Sequence, residues 1–263
     1  MRQLTFISLF AGIGGIDLGL ERAGMRCLAQ VEIDDYATRV LEKHWPTVPR
    51  FSDVRACGAH NLPPADVLAG GFPCQDISLV GRRAGMDGER SGLWREYFRI
   101  ICELRPRYIF VENTAALLLP IKRDGRVVAP APISRVLGDL ASSGYDAEWS
   151  VLSACALGAP HTRERVFIVA HANEIGKSRR GFGKRSAYGV SRRAETKRCT
   201  HHLEVTRSDQ ALAWWASEPG VDRMAHGISR RMDRTGGLGN AVVPVCAECV
   251  GRAIVADWEC RCG

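Results

Sequence analysis

The chain has 263 residues, 46% of them hydrophobic and 25% charged, with ten cysteines and a formal net charge of +7. That balance excludes a fibrous or wholly disordered chain and leaves room for one full domain with a small second one. No stretch of the sequence approaches the ~18 uninterrupted apolar residues of a membrane span, and the opening MRQLTFISLFAGIGG lacks the apolar core of a signal peptide. The expectation is a cytoplasmic protein with no membrane association and reduced thiols.

The charge is uneven. Residues 177–198, KSRRGFGKRSAYGVSRRAETKR, hold nine Lys or Arg and one Glu, a local +8 that leaves −1 for everything else. A near-neutral body with one basic segment is the electrostatic form of a polyanion-binding protein, and equally of a protein with a solvated basic loop.

In chain order, Leu4 to Phe10 predicts a strand, Ile16 to Ala23 a helix, Cys27 to Ile33 a strand and Asp34 to His44 a helix. Val67 to Gly71 then predicts a strand, Leu93 to Leu104 a helix, Tyr108 to Glu112 a strand, Ile133 to Ser143 a helix and Val166 to Ala170 a strand. This alternation is the rhythm of a doubly wound, mostly parallel α/β domain. It stops between about Asn173 and His226, where Gly, Ser, Arg and Lys dominate up to an aromatic patch at Trp214 and Trp215. Gly239 to Ala256 predicts a helix with Pro244 near its first turn, returning to the α/β domain. The expected division is an α/β domain over 1–172, a small basic irregular module over 173–228, and a returning segment over 229–263.

Chemistry concentrates where the predicted strands end. Strand one runs into Phe10-Ala11-Gly12-Ile13-Gly14-Gly15 and a helix, so backbone amides face a ligand there. Asp17 stands where a dinucleotide fingerprint would need glycine, and no P-loop lysine follows. Glu32, twenty residues after Gly12, closes strand two, where a carboxylate can accept ribose hydroxyls, and Asp53 can accept from an adenine amino group. Either acid also reads as a loop residue or helix cap.

Cys74, in GGFPCQDIS, follows a strand, and its thiol can be activated by nearby positive charge; the alternative is a small buried hydrophobe. Glu112 ends YIFVEN on the same rim and could stay protonated to donate to a ring nitrogen. Arg163 and Arg165 lie two apart, so an extended segment projects both to one side, where they can hold a phosphate, carboxylate or carbonyl oxygen. Cys246, Cys249, Cys260 and Cys262 have a zinc-like spacing, but the first pair falls in the predicted helix, so no metal is expected.

In this order, FAGIGG, VEID, DV, GGFPCQ, ENT, HTRER and GNAVVP resemble the motif series of the DNA cytosine-5 methyltransferases, over residues 4–256. The short basic middle resembles small phage, prophage or restriction-modification members. The resemblance implies a Rossmann-like S-adenosylmethionine-dependent methyltransferase sheet with a small irregular target-recognition module. It implies methyl transfer to cytosine carbon 5 in double-stranded DNA, with Cys74 attacking carbon 6, Glu112 stabilising the protonated ring nitrogen 3, Arg165 near the base carbonyl and Arg163 in support. It assigns S-adenosylmethionine to Phe10, Gly12, Gly14, Glu32, Ile33, Asp53, Val54, Pro73, Leu93 and Asn240.

A cytosine inside a duplex is shielded by stacking and must be flipped out to react. Gln75, Ser78, Arg82 and Arg83, within or beside the loop 81–90, would then hold DNA, with Arg192, Arg193, Lys197 and Arg198 in the basic module. The expected protein is a monomer that acts alone or beside a cognate restriction endonuclease. Thr114 replaces the family's usual valine and His161 its common glutamine, and the recognition module is much shorter than in many relatives. The alternatives are an RNA cytosine-5 methyltransferase acting on transfer RNA and a catalytically inactive DNA-binding relative.

Overall fold

The computed structural model describes residues 2–73, 92–123, 125–173 and 241–262. Its centre is β1 (Thr5–Leu9), in which all five side chains are buried, as both faces of a parallel sheet require. Around it lie β2 (Arg26–Val31), β3 (Arg50–Phe51), β4 (Val67–Gly70), β5 (Tyr108–Thr114), β8 (Tyr145–Ser153) and β9 (Glu164–Ala172) in the spatial order β3-β2-β1-β4-β5-β9-β8. The first five strands are parallel; β9 pairs antiparallel with β5, and β8 antiparallel with β9. A separate two-stranded ribbon is made by β6 (Ile121–Arg123) and β7 (Arg126–Ala129).

Alternation along the strands sends neighbouring residues to opposite faces and so builds two cores. Ile7, Leu9, Leu68, Ile109 and Val111 pack under α3 (Leu93–Leu104) and α4 (Ile133–Ser142). Phe6, Val67, Ala69 and Phe110 pack under α1 (Gly15–Arg22) and α5 (Pro244–Cys262). The helix α2 (Asp35–His44) starts at Asp34, whose carboxylate accepts from the Ala37 N–H at 2.8 Å, and ends with Lys43 and His44 in its last turn, where the macrodipole favours cations.

The expected helices and central strands stand where the pattern put them. Four features differ. Residues 166–170 lie in a longer antiparallel strand, and β8 beside it has no counterpart in the sequence reading, because YDAEWSVLS is an exposed edge strand rather than an apolar run. The ribbon β6–β7 was likewise not foreseen. The last helix begins at Pro244 rather than at Gly239 and runs on to Cys262 rather than Ala256. The basic module at 174–228 lies outside the described residues. Among those described, no helix is long and apolar enough to cross a membrane.

The returning helix explains three glycines. A Cβ at Gly15 would collide with the Val242 carbonyl, one at Gly19 with Pro244 and Ala247, and one at Gly251 with Leu20 and Ala23. The repeat Gly15, Gly19, Ala23 therefore lets α1 and α5 cross almost backbone to backbone. That crossing carries residues 241–243 to the N-terminal end of α1, directly behind the glycine loop.

Candidate functional site

At the carboxyl end of β1 the chain turns sharply. Phe10 takes φ 54°, unusual for a side chain of that size, followed by Gly12 at φ 56° and Gly14 at φ 85°. Gly14 must lack a Cβ for a second reason, since one would strike the indole of Trp45. Gly12 is different: among the described residues nothing lies within 4 Å of where its Cβ would be, so its backbone is open on that side.

Glu32 closes the loop from the side. One carboxylate oxygen accepts from the Gly12 N–H at 2.6 Å and the other from the Asp34 N–H at 2.8 Å. Next to it Ile33 leaves 68% of its surface exposed, an apolar platform on the rim. Asp53 caps a short 3-10 turn, accepting from the Arg55 N–H at 2.9 Å, with its side chain still partly open. Val54 is buried in the core below, so any contact it makes with a ligand would come through its backbone. Phe10 stacks on Tyr97 at 6.3 Å, and Leu93 packs against the same core at the start of α3.

The other half of the rim is made of charged side chains. Glu112 is buried, and its Oε1 lies 3.0 Å from Arg165 Nε. Burial pushes its carboxyl up to about 7, against the pull of Arg165 and Arg163. Its other oxygen occupies the space above Gly71, where a Cβ would sit 2.6 Å away. Gly71 is therefore a steric requirement of Glu112, whereas a Cβ at Gly70 would strike the Leu9 carbonyl. Asn113 donates to the Phe72 carbonyl at 2.8 Å, tying the exit of β4 to β5 immediately before Cys74.

Arg163 sits just before β9 with Nε and Nη2 buried and without hydrogen-bond partners among the described residues. Desolvation and repulsion from Arg165 lower its pKa. A half-buried guanidinium held beside a second one, with donors unsatisfied, is built for an acceptor that arrives from outside. Cys246 on α5 is buried nearby, and desolvation pushes its thiol up to about 11, which makes it inert.

Cys74, Gln75, Ser78, Arg82, Arg83, Arg192, Arg193, Lys197, Arg198 and Asn240 lie outside the described residues. Pro73, exposed, is the last described residue before the nucleophile candidate, and Ala241 follows Asn240 behind the glycine loop. Among the described residues no group of three or more His, Cys, Asp or Glu converges on a point where a metal could bind.

Sequence reasoning treated Asp17 only as a missing glycine. It is a fully buried carboxylate at the start of α1, accepting from Ser8 Oγ at 2.9 Å and Gln30 Nε2 at 2.9 Å, with Cys27 Sγ at 3.8 Å. Gln30 in turn accepts from Arg50, which donates to the Trp45 carbonyl at 2.7 Å. One polar chain thus runs under the loop from β1 through α1 and β2 to Trp45, whose ring covers Gly14. Burial raises the Asp17 carboxyl to about 6. The available signal was the spacing of Ser8, Asp17 and Gln30 on three adjoining elements.

Comparison with known proteins identifies the family and the fold. The model for the C-5 cytosine-specific DNA methylase family matches residues 4–210. Type II methyltransferase M.HgiBI of Herpetosiphon aurantiacus is 36% identical over 172 residues, 64% of this chain and 37% of that protein. Type II methyltransferase M.BsuFI of Bacillus subtilis is 35% identical over 182 residues, 69% of this chain and 42% of that protein. Among solved structures, a DNA modification methyltransferase encoded within an E. coli prophage superimposes with TM-score 0.53 at 28% identity, over 68% of this chain and 48% of that one. The methyltransferase EhMeth of Entamoeba histolytica, at 18% identity and TM-score 0.53, covers 65% of this chain and 53% of its own and shares the fold. The chain spans about two-fifths of the length of the curated relatives it matches. It belongs to the C-5 cytosine-specific DNA methylase family.

Proposed function

We propose that the protein is a DNA methyltransferase that modifies carbon 5 of cytosine in a specific double-stranded sequence. The observation that carries the proposal is Glu112: a buried carboxyl held near neutrality, facing Arg165 and Arg163, on the strand beside the one that leads into Cys74. A carboxyl group that can keep its proton at neutral pH can donate to ring nitrogen 3 of a flipped cytosine. Protonation there drains electrons from the ring and allows the Cys74 sulfur to bond to carbon 6, leaving carbon 5 nucleophilic. After methylation, loss of the carbon 5 proton and breakage of the sulfur–carbon 6 bond release the product. The unsatisfied donors of Arg163, with Arg165, hold the base carbonyl and its developing charge.

The methyl donor is S-adenosylmethionine, which supplies an electrophilic methyl group when bound. The residues fit it: the open backbone at Gly12 admits its bulk, Ile33 offers an apolar face for adenine, and Glu32 and Asp53 present acceptors for ribose hydroxyls and the adenine amino group, with Asn240 proposed as a further contact. Gly14, Val54, Pro73, Leu93 and Phe10 complete this wall. The catalytic domain would be discontinuous, 1–172 joined by 229–263. The basic region 173–228 would read DNA through Arg192, Arg193, Lys197 and Arg198, while Gln75, Ser78, Arg82 and Arg83 hold the strand around the flipped base. A monomeric state and a cognate endonuclease acting on the same sequence complete the reading.

The test is incubation of unmethylated plasmid, and separately of transfer RNA, with the protein and S-adenosylmethionine, followed by conversion sequencing. Protection of cytosines in one short DNA motif is expected. Protection in RNA alone would overturn the DNA assignment, and none in either would overturn the activity.

A further inference from the structure

Between the end of β5 and the first turn of α4 the chain rises into the ribbon β6–β7. Its register pairs Ile121 with Ala129, Lys122 with Val127 and Arg123 with Arg126, closing through Gly125 at φ 75°. Val127 and Val128 are consecutive, so they point to opposite faces of the strand. Both are largely exposed, at 61% and 49%, so neither face of β7 is covered by the body of the protein. With Leu119 they make up three of the six exposed large hydrophobics among the described residues, which marks this short stretch as the main unpartnered apolar surface.

An isolated two-stranded ribbon is marginal in water. Residues 119–129 carry three cations and one acid, a net +2, with Lys122 and Arg126 exposed. The position of the ribbon is equally informative. It leaves β5 beyond Thr114, the register partner of Arg165, and enters α4, which runs back to Tyr145 at the opposite edge of the sheet. Both of its anchors therefore lie on the edge that holds Glu112, Arg163 and Arg165.

We propose that the ribbon β6–β7 is a second DNA-contacting element that enters a groove of the duplex beside the target base, with Lys122 and Val127 on the face turned to one phosphate backbone and Arg126 and Val128 on the face turned to the other. This rests on the reading that duplex DNA is the substrate. Lys122 and Arg126 lie on the two strands of the ribbon, and the phosphates of a duplex supply the counter-charge that these exposed cations lack among the described residues. The ribbon sits on the catalytic side of the bound duplex, separate in sequence from the basic segment 177–198.

The experiment measures binding of a duplex carrying the methylated motif by fluorescence anisotropy over a range of salt concentrations, for the wild type, Lys122→Ala/Arg126→Ala and the charge-conserving Lys122→Arg/Arg126→Lys. Two lost phosphate contacts should reduce the slope of log affinity against log salt by about 1.8. The KM for DNA should rise, with kcat and S-adenosylmethionine affinity within about twofold of wild type, since neither residue touches the reacting atoms or the cofactor. The charge-conserving variant should keep the wild-type slope. An unchanged slope in the alanine variant, with the wild type binding normally, overturns the ribbon's role alone. A wild type that binds no duplex overturns the DNA reading and the ribbon's role with it.

Discussion

The two halves of the catalytic rim are built on opposite principles. On the β1–β3 side the ligand-facing groups are backbone amides and a carboxylate whose two oxygens already accept N–H bonds from Gly12 and Asp34. On the β4–β5–β9 side a buried carboxyl competes with two guanidinium groups, one of which has unsatisfied donors. The first half is settled before any ligand arrives and suits a cofactor bound much the same way throughout the reaction. The second half holds its charges under desolvation, and those charges are relieved by a substrate that develops charge only as it reacts. On the proposed function, binding belongs to one half and rate to the other.

That division predicts which kinetic constant each substitution moves. The largest effect should come from Cys74→Ser, which removes the bond-forming atom: kcat should fall by about a thousandfold or more. Calorimetry should still find wild-type S-adenosylmethionine affinity, and a loss of that affinity would show that the two halves are not separable.

Glu112→Gln should lower kcat by roughly a hundredfold or more and change its pH dependence. Burial raises the Glu112 carboxyl to about 7, so its proton, and with it this contribution to rate, is lost as pH rises through that value. The wild-type profile should therefore fall on its basic side near 7, whereas the glutamine variant, whose amide donates at every pH, should lack that limb. The linkage has the same sign for stability. A carboxyl raised on folding contributes most below its unfolded value of 4.5 and least above about 7, so Glu112→Gln should flatten the loss of thermal stability over that interval.

Glu32→Ala should raise the KM for S-adenosylmethionine by about tenfold and leave kcat at saturation nearly unchanged, as for an interaction equally strong in ground and transition states. A fall in kcat equal to the rise in KM would blur the comparison. Asp17→Ala should have the smallest effect on chemistry but a clear one on the fold, costing about 1–3 kcal/mol because Ser8 and Gln30 lose a buried acceptor. Asp17→Asn should recover most of it: the amide oxygen can accept from Gln30 while its NH2 donates to Ser8, whose hydroxyl works in either direction. Urea unfolding of the two variants checks this directly.

How much of this was legible in the sequence follows the same physics. The glycine loop, α2 and α3 announce themselves through caps and apolar spacing, because local geometry alone places them. Glu112 and the two arginines were legible as a pattern, and β5–β9 pairing supplies what the pattern lacked: Thr114 lies opposite Arg165, so Arg165 reaches Glu112 diagonally, two residues along β5 from its own partner. The edge strand β8 was not legible, since Asp146, Glu148 and Ser150 interrupt any apolar run and only pairing with β9 makes it a strand. The buried role of Asp17 was not legible for a related reason. A carboxylate in the first turn of a helix reads as exposed until the strands that bury it are placed around it. Gly71 is the converse case, a glycine whose necessity appears only when the Glu112 carboxylate occupies its missing side chain.

The central claim, that Cys74 bonds to carbon 6 of a cytosine activated by Glu112, is tested most directly by trapping. A duplex carrying the target motif with 5-fluorocytosine at the modified position cannot lose a proton from carbon 5 after methyl transfer, so the sulfur–carbon bond cannot break. Incubated with the protein and S-adenosylmethionine, it should give a denaturation-resistant protein–DNA adduct whose mass includes one added methyl group and whose linkage maps to Cys74, absent in Cys74→Ser. Methylation of the ordinary duplex with no adduct on the fluorinated one, or an adduct on another residue, would contradict the account.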